Sequence, residues 1–424
     1  MRRTIALNGA TCLTQTDLLR TGWSAILSRS LKCLNHSRFR NSPKAAMNNP
    51  IWIMTSALKA LTLDQVITRA RETGAQGMEL CVFRRDGNRT DHVATHLEYE
   101  AFGPEQARRL VERANREEFR FSVGAYEDLI GGDSVHRVGN QNHLLKLIRI
   151  AHLCGGDRND VKVGTFVGYN HELGVQDRGF EKNLEEYVRV FGPIIRYAED
   201  LGVTVVYENC PMEGWRPASA PTTYNNLPGC LAARKLMYAL LPSRAHGETY
   251  DPSHDIWQHT DPVDVIEATD MGRVHRVHIK GSRNNRNAAR LHWGGLYPMQ
   301  TVNPDLARRA GVPIPAHEWD RHHYEPTLPG FGGSDSVDWR AFLVCLMQKG
   351  FNGPLVIENE GDNSAHTGNL GATLQGFAAT VLNLAPVVWP LAPEIGYQFD
   401  ASQQAALVIP EGRDLPVRTM AELT

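Results

Sequence analysis

Four side chains of metal-binding type follow one another along the chain, each near the end of a candidate strand. Glu208 ends VTVVYE, Asp251 ends GETYD, His278 lies within RVHRVHIK and Glu358 ends PLVIE. A single acid at such a place is usually a helix cap or a solvated loop residue, and a single histidine is usually a hydrogen-bonded core residue. Four in succession favour a shared function, because an unpaired buried charge is costly.

The runs that carry these residues belong to a longer series of strands that alternate with helical patterns. Eight candidate strands lie at 51–55, 77–83, 120–126, 161–167, 203–209, 247–251, 273–280 and 354–359. Such alternation implies parallel strands joined by right-handed crossovers. The pattern predicts a (β/α)₈ TIM barrel, because the first strand lacks the glycine-rich loop that is typical of a doubly wound sheet.

In a TIM barrel the carboxyl ends of the strands meet at one face, where active sites are built. The sequence therefore predicts that Glu208, Asp251, His278 and Glu358 converge on one point. Three carboxylates and one imidazole favour a single hard or borderline divalent ion, namely Mn²⁺, Mg²⁺ or Co²⁺, over a metal that prefers thiolates. Glu360 has the same side-chain parity as Glu358, so either of the two could point inward.

Composition excludes several classes of function. The 424 residues carry a formal charge of −2, which gives no basic face for nucleic acid. No run reaches the roughly 18 apolar residues that a membrane-spanning helix requires. The seven cysteines are scattered and never spaced as CxxC, which is typical of reduced thiols in an intracellular protein. We therefore expect a cytoplasmic protein that binds neither nucleic acid nor a membrane.

The two ends of the chain are expected to lie outside the barrel domain, which we place at 47–390. Residues 1–46 carry eight Lys or Arg and a single acid, and residues 391–424 form a C-terminal tail. The basic, Ser-rich first segment is typical of a transit peptide, which would imply import into an organelle. The favoured alternative is translation from an upstream start, with Met47 as the natural first residue. Residues 47–424 carry 37 basic and 46 acidic residues, a net charge of −9.

A long insertion separates the last two strands, because 73 residues lie between Lys280 and Pro354. A helix over 336–350 accounts for its end. The part over about 283–335 starts at the predicted catalytic face, and its aromatic residues argue against disorder. It also contains four histidines that could contact a substrate or line a subunit interface: His292, His317, His322 and His323. We predict that this insertion folds over the mouth of the barrel.

Two further features lie beside the predicted site. Lys280 shares the inward parity of His278, and it could hold a substrate or form a salt bridge at the barrel mouth. The segment LPGFGGSDSVDW could bring backbone N–H groups to a phosphate. We favour a tight turn that leads into the next helix, with Asp335 or Ser336 as the cap of that helix.

The ordered set YEN, YDPSH, HIK, LPGFGGSDSVDW and VIENE resembles the sugar phosphate isomerase/epimerase family, which has the xylose isomerase-like TIM barrel. The resemblance covers about 51–390, and metal-dependent ketose 3-epimerases are members of this family. It implies that Glu208, Asp251, His278 and Glu358 are the ligands of the metal ion. It also implies that the chain is an isomerase, either an epimerase or a ketose–aldose isomerase, that acts on a small carbohydrate as a homo-oligomer.

The resemblance assigns further roles around the metal. Glu208 and Glu358 are the acid/base pair that removes and returns the proton next to the substrate carbonyl, while the metal stabilises the enediolate. His254 matches a substrate-binding histidine three residues past the ligand aspartate. Arg283, or Arg286 in its place, matches an arginine shortly past the ligand histidine. Glu213 resembles a substrate-binding glutamate. The long insertion departs from the simple epimerases, so the substrate does not carry over.

Three rival functions stay open. The same site could expel a β-leaving group after proton loss and act as a lyase or hydrolase of 3-keto-glycosides. An apurinic endonuclease with this barrel needs about three zinc ions, more histidines and a basic groove, which the net charge of −9 disfavours. A non-catalytic binding subunit is disfavoured because the predicted ligands converge.

We predict that residues 1–46 contribute nothing to folding or catalysis. A protein that begins at Met47 should unfold at the same Tm as the full chain and keep its activity, because the segment lies outside the barrel. Calorimetry and activity assays of the two proteins measure this. A clear drop in Tm or activity in the shortened protein would show that the segment packs against the core.

Overall fold

Ten strands are present in the part of the chain that the structure describes, and eight of them close a parallel barrel. Each barrel strand pairs with the barrel strand before it in the chain, and the last barrel strand also pairs with the first and closes the barrel. The predicted (β/α)₈ TIM barrel is therefore confirmed. The strands are β1 Ile51–Met54, β2 Gly77–Cys81, β3 Arg120–Gly124, β4 Lys162–Thr165, β5 Thr204–Glu208, β6 His246–Tyr250, β7 Val274–Ile279, the non-barrel pair β8 Gly281–Asn284 and β9 Tyr324–Thr327, and β10 Leu355–Ile357.

The structure is a computed structural model, and it describes most of the predicted barrel domain. The described residues all belong to a unit that spans Ala46–Thr424. The predicted segments 1–46 and 391–424 lie outside the described residues, as do Glu213, Arg286 and the four histidines of the insertion. The described ranges are 49–87, 89, 94–155, 161–212, 225–284, 303–313, 324–329, 335–360 and 370–388.

The barrel strands are short runs whose residues are buried on both faces, as is usual for parallel sheets covered by helices. All five residues of β5 and all six residues of β7 are buried. Successive side chains of a strand point to opposite faces, so Arg276 and His278 share one face of β7 and Val277 takes the other. Polar residues in these apolar runs thus enter the barrel interior, where they need partners.

Eleven α-helices lie within the described ranges, and none of them is long and apolar enough to cross a bilayer. Their ends follow local sequence signals. In α1 the Thr62 side chain accepts a hydrogen bond from Gln65 N, and Gly74 follows the helix with φ +88°. The helices are α1 Leu63–Glu72, α2 Pro104–Arg116, α3 Ser134–Cys154, α4 His171–Gly174, α5 Gly179–Asp200, α6 Leu231–Leu240, α7 Ser253–Trp257, α8 Pro262–Glu267, α9 Pro304–Ala310, α10 Trp339–Gln348 and α11 Leu370–Val388.

The predicted cap of the helix before the last strand is wrong. The N-cap of α10 is Asp338, whose carboxylate accepts a hydrogen bond from Ala341 N at 3.0 Å. Asp335 instead accepts hydrogen bonds from the backbone N–H groups of Ser282 and Val337, each at 3.0 Å. Its carboxylate therefore ties the start of the insertion to the turn before α10 and is not available to cap the helix.

The insertion starts as a two-stranded antiparallel ribbon. β8 begins one residue after Lys280, and its last residue, Asn284, lies opposite Tyr324, the first residue of β9. The two ends of the long segment between β8 and β9 therefore lie side by side. Within that segment the described residues are 303–313, which contain α9.

Aromatic packing holds the ribbon against the segment that follows β6. The ring of Tyr324 stacks on Trp257 of α7, with ring centroids 3.5 Å apart. Trp257 Nε1 donates a hydrogen bond to Ser282 Oγ at 2.7 Å, and its ring lies edge-on to His254 at 4.1 Å. The base of the insertion thus contacts Trp257, which in turn contacts His254, a residue that the sequence places at the site.

Candidate active site

Four side chains from consecutive barrel strands meet at the carboxyl ends of those strands. Glu208 is the last residue of β5, Asp251 follows β6, His278 lies near the end of β7 and Glu358 follows β10. One nitrogen or oxygen atom from each of the four lies within 4.8 Å of the others, and all four side chains are buried. The structure thus brings together the four residues that the sequence selects as metal ligands.

The side chain of Asn209 links the ends of the two strands that carry Glu208 and Asp251. The Asn209 side chain accepts a hydrogen bond from Asp251 N at 2.7 Å and donates one to Asp251 O at 3.0 Å, which fixes the tip of β5 to the tip of β6. Nδ1 of His278 lies 2.8 Å from Glu208 Oε1 and 3.3 Å from Glu358 Oε2. The Nδ1 side of the imidazole therefore faces the carboxylates.

The donor set fits a divalent metal ion of the hard or borderline class. Three carboxylates and one imidazole suit Mg²⁺ or Mn²⁺, and carboxylates this close together repel one another unless a cation lies between them. Asp251 Oδ2 is buried and accepts no aligned hydrogen bond from any described residue. The Lys280 ammonium lies 3.1 Å and His254 Nε2 lies 3.2 Å from this oxygen, so cationic groups adjoin it without an aligned hydrogen bond, and a bound cation can complete its contacts.

Cations of the protein already balance part of this charge. Burial raises the pKa of Glu208, but the His278 and His254 imidazoles and the Lys280 ammonium outweigh burial and hold this pKa well below its ordinary value. Burial lowers the pKa of His278, but the facing carboxylates raise it well above its ordinary value, with Glu208 as the strongest. The carboxylate of Glu208 is therefore ionised at neutral pH and can act as a ligand or as a base.

Lys280 points inward and forms the predicted salt bridge. Its Nζ lies 2.8 Å from Glu358 Oε2, 3.1 Å from Asp251 Oδ2 and 3.4 Å from Glu360 Oε2. Burial lowers the pKa of Lys280, but these carboxylates raise it above its ordinary value, so the group is an ammonium. Both Glu358 and Glu360 are buried and reach Lys280, and of this pair Glu358 belongs to the set of four.

His254 lies in the first turn of α7 and contacts two of the four residues. Its Nε2 lies 3.2 Å from Asp251 Oδ2 and 3.4 Å from Glu208 Oε1. Burial lowers the pKa of this fully buried imidazole, but the acidic groups beside it, among them the Asp251 carboxylate, raise it above its ordinary value. The imidazolium is therefore placed to donate a hydrogen bond at the edge of the carboxylate cluster.

A second group of possible ligands overlaps the first. Ligand atoms of Glu208, Cys210 and His254 also lie within 4.8 Å of one another. Burial raises the pKa of the Cys210 thiol, so the thiolate that a metal requires is scarce at neutral pH. Lys280 Nζ lies 3.4 Å from His254 Nε2, and an imidazolium offers no lone pair at this nitrogen to a metal ion. These two features disfavour a second metal ion at this place.

Arg283 and Glu213 are the other two residues that were predicted to contact a substrate. Arg283 lies in β8 and forms an ion pair with Glu325 of β9, and both side chains are about one-third exposed. Its predicted contact with a substrate stays a prediction. Glu213 lies outside the described residues, so its predicted role also stays a prediction.

A group of buried residues that was not among the predicted site residues lies on the other side of His278. Glu79 of β2 lies 3.0 Å from both His278 Nε2 and Arg276 Nη1, and it accepts a hydrogen bond from Tyr126 OH. Burial raises the pKa of Glu79, but Arg276, His278 and Tyr126 lower it below its ordinary value. The sequence signal was a carboxylate inside the apolar run GMELC, which is the same signal that identified Glu208.

We predict that Asp251→Asn abolishes metal binding while the fold survives. The amide keeps the hydrogen bond that Asp251 Oδ1 accepts from Ser253 N at 2.8 Å but loses the ligand charge. Elemental analysis of the dialysed protein measures the metal, and circular dichroism measures the fold. Asp255→Asn is a matched control, because Asp255 is a buried aspartate of α7 outside the set of four, and it should keep the metal. Full metal occupancy in Asp251→Asn would contradict the assignment.

Solved structures of other proteins share this fold at low sequence identity. A xylose isomerase domain protein from Planctomyces limnophilus is 14% identical, with a TM-score of 0.52 over 81% of this chain and 99% of its own. A D-psicose 3-epimerase from Clostridium cellulolyticum is 12% identical, with a TM-score of 0.52 over 80% of this chain and 99% of its own. A probable 3-DHS dehydratase of petrobactin synthesis from Bacillus anthracis is 15% identical, with a TM-score of 0.50 over 79% of this chain and 98% of its own. At these identities the similarity shows the fold alone.

Sequence comparison identifies the family directly. No curated protein matches the chain by sequence. The family profile described as the xylose isomerase-like TIM barrel matches residues 67–379, which is most of the chain and includes all four clustered residues. The chain therefore belongs to the xylose isomerase-like TIM barrel family.

Proposed function

We propose that this protein is a metal-dependent carbohydrate isomerase that inverts the carbon next to the carbonyl of a ketose or keto-sugar. The observation that carries the proposal is the buried set of Glu208, Asp251, His278 and Glu358, whose ligand atoms lie within 4.8 Å of one another. This set supplies ligands for one divalent ion and two glutamates for proton transfer.

The four residues would hold the ion, which we expect to be Mn²⁺, Mg²⁺ or Co²⁺. When bound, the ion supplies Lewis-acid polarisation of the substrate carbonyl and of a neighbouring hydroxyl. Lys280 and His254 border the same cluster at hydrogen-bonding distances, and both are protonated groups. We propose that they donate hydrogen bonds to substrate oxygens that gain negative charge during the reaction.

The positions of the two glutamates suit proton transfer on opposite faces of a substrate. Glu208 is carried by β5 and Glu358 by the segment after β10, and β6 and β7 lie between these strands in the barrel order. One carboxylate accepts the proton from the carbon next to the carbonyl, and the electron pair of the C–H bond moves towards the carbonyl oxygen. The other glutamate, in its protonated form, returns a proton to the opposite face of that carbon.

The surroundings of the two glutamates differ. Glu358 accepts a hydrogen bond from the Lys280 ammonium at 2.8 Å. Glu208 faces the imidazoles of His278 and His254. We propose that Glu208 is the base when the chain acts on one epimer and that Glu358 is the base in the reverse direction.

The comparisons support a sugar epimerase more than another carbohydrate enzyme. A structural neighbour with a TM-score of 0.52 is titled a D-psicose 3-epimerase bound to D-tagatose. A neighbour with a TM-score of 0.50 is titled a probable dehydratase, and dehydration also begins with loss of a proton next to a carbonyl. An elimination reaction on a 3-keto-glycoside is therefore the second candidate.

We predict that the metal-loaded protein exchanges one carbon-bound hydrogen of a ketose with solvent and forms its epimer. The assay incubates free and phosphorylated ketoses and 3-keto-glycosides in D₂O, with ¹H NMR as the readout. Glu208→Gln and Glu358→Gln should each slow epimer formation roughly 100-fold or more, since an amide cannot transfer the proton. Metal content is measured in each variant, so that loss of the ion is separated from loss of the base. Release of an aglycone without an epimer would favour the elimination reaction.

We predict that the insertion acts as a cover over the barrel mouth and excludes water during the reaction. Because Asn284 lies opposite Tyr324, a two-residue Asn-Gly turn can replace residues 285–323 and keep the β8–β9 ribbon. This deletion should lower kcat/KM at least tenfold and leave the metal stoichiometry unchanged, because all four proposed ligands lie outside it.

Light scattering provides the control for the deletion. If the insertion is instead a subunit interface, the deletion changes the molecular mass of the protein in solution. A change in mass with an unchanged kcat/KM would contradict a cover.

A further inference from the structure

A buried network of charged and polar groups lies on the side of His278 that faces away from the carboxylate cluster. His278 Nδ1 faces Glu208 and Glu358, whereas Nε2 lies 3.0 Å from Glu79 Oε2 and 3.5 Å from Tyr126 OH. The two ring nitrogens therefore have separate partners. Such a division fixes the orientation of the ring and the nitrogen that is left without a proton.

The Glu79 carboxylate is held from several directions. Tyr126 OH donates a hydrogen bond to Oε1, and Arg276 Nη1 lies 3.0 Å from Oε2. Arg276 Nη1 also donates a hydrogen bond to Ser122 Oγ of β3 at 2.8 Å. Because Glu79, Arg276 and His278 are each fully buried, the carboxylate is kept in place by protein groups and is remote from bulk solvent.

The barrel wall leaves room for this network. A Cβ atom on Gly124 of β3 would lie 2.6 Å from Glu79 Oε1, and a Cβ atom on Gly164 of β4 would lie 2.5 Å from both Glu79 Oε1 and Tyr126 OH. Real Cβ contacts essentially never come this close, so a larger residue at either glycine displaces Glu79 or Tyr126. Two neighbouring strands thus carry glycine where the Glu79 side chain needs space.

We propose that Glu79 is a positioning residue for the metal centre, which accepts the Nε2–H proton of His278 and thereby directs the Nδ1 lone pair at the metal ion. The inference rests on the proposed function, since it requires that His278 is a ligand. A carboxylate that accepts the second ring proton of a ligand histidine raises the basicity of the other nitrogen, and its loss typically weakens metal binding 10- to 100-fold. Glu79 itself contacts neither the ion nor the substrate.

The competing role for Glu79 is purely structural, as a counter-charge for Arg276. The two roles predict different effects when a neutral side chain of equal size replaces Glu79. Glu79→Gln weakens the pairing with Arg276 in both cases, so a lower Tm of the metal-free protein does not distinguish them. A change in metal affinity does, because it reports on His278.

The experiment titrates metal-stripped protein with Mn²⁺ by isothermal calorimetry at pH 7.5. We expect Glu79→Gln to raise the Kd for Mn²⁺ roughly tenfold or more. Ser122→Ala is the matched control, because it removes a hydrogen bond to Arg276 in the same network but leaves the contacts of Arg276 and His278 with Glu79. We expect its Kd to stay within about threefold of the wild-type value. If Glu79→Gln does not fold, Glu79→Asp replaces it, since the shorter side chain keeps the charge but withdraws the oxygen from His278.

A wild-type Kd in Glu79→Gln, or an equal loss of affinity in Ser122→Ala, overturns the positioning role. Proton placement is a second readout, because ¹⁵N NMR of the Mg²⁺-loaded wild-type protein should show His278 protonated on Nε2. Protonation on Nδ1 overturns the inference. Failure of the wild-type protein to bind Mn²⁺ refutes the proposed function together with the inference. If the wild-type protein binds Mn²⁺ and forms an epimer, and the Glu79→Gln variant has the same Kd for Mn²⁺, the inference alone is refuted.

Discussion

The burial of five carboxylates inside one barrel is the constraint on which the described part of this structure depends. Isolated carboxylates in such a place cost several kcal/mol each, so they must be neutralised or paired. Cationic or protonatable side chains adjoin all of them within a few ångströms: His278 contacts three of the five, and Lys280 contacts the other two. The five are Glu79, Glu208, Asp251, Glu358 and Glu360.

One strand provides most of the balancing charge. Side chains two residues apart on a strand share a face, so Arg276, His278 and the following Lys280 all point into the barrel. Arg276 pairs with Glu79, His278 lies between Glu79 and Glu208, and Lys280 meets the acids at the mouth. A shift of β7 by one residue would turn all three towards the helices and leave the carboxylates without partners. The register of this strand and the chemistry of the site therefore depend on each other.

The sequence was sufficient for the barrel and for the four clustered residues, because both follow from local periodicity. A polar residue at the carboxyl end of a buried parallel strand lies at the face of the barrel where the strand ends meet, and four such strands share that face. Glu79 carried the same kind of signal, but its contact with His278 depends on the register of strands about 200 residues apart in the chain. Parity could not separate Glu358 from Glu360, since both point inward, and the choice needed interatomic distances. The cap of α10 was misjudged because Asp335 bonds to the distant Ser282.

The carboxylate cluster needs a cation, and Glu79 supports the one histidine in the cluster. The most direct test is an anomalous difference map from crystals grown with Mn²⁺. We predict one peak per chain, at roughly 2 to 2.3 Å from a carboxylate oxygen of Glu208, Asp251 and Glu358 and from Nδ1 of His278. A cluster without a peak, in which Lys280 alone neutralises the carboxylates, would contradict the account.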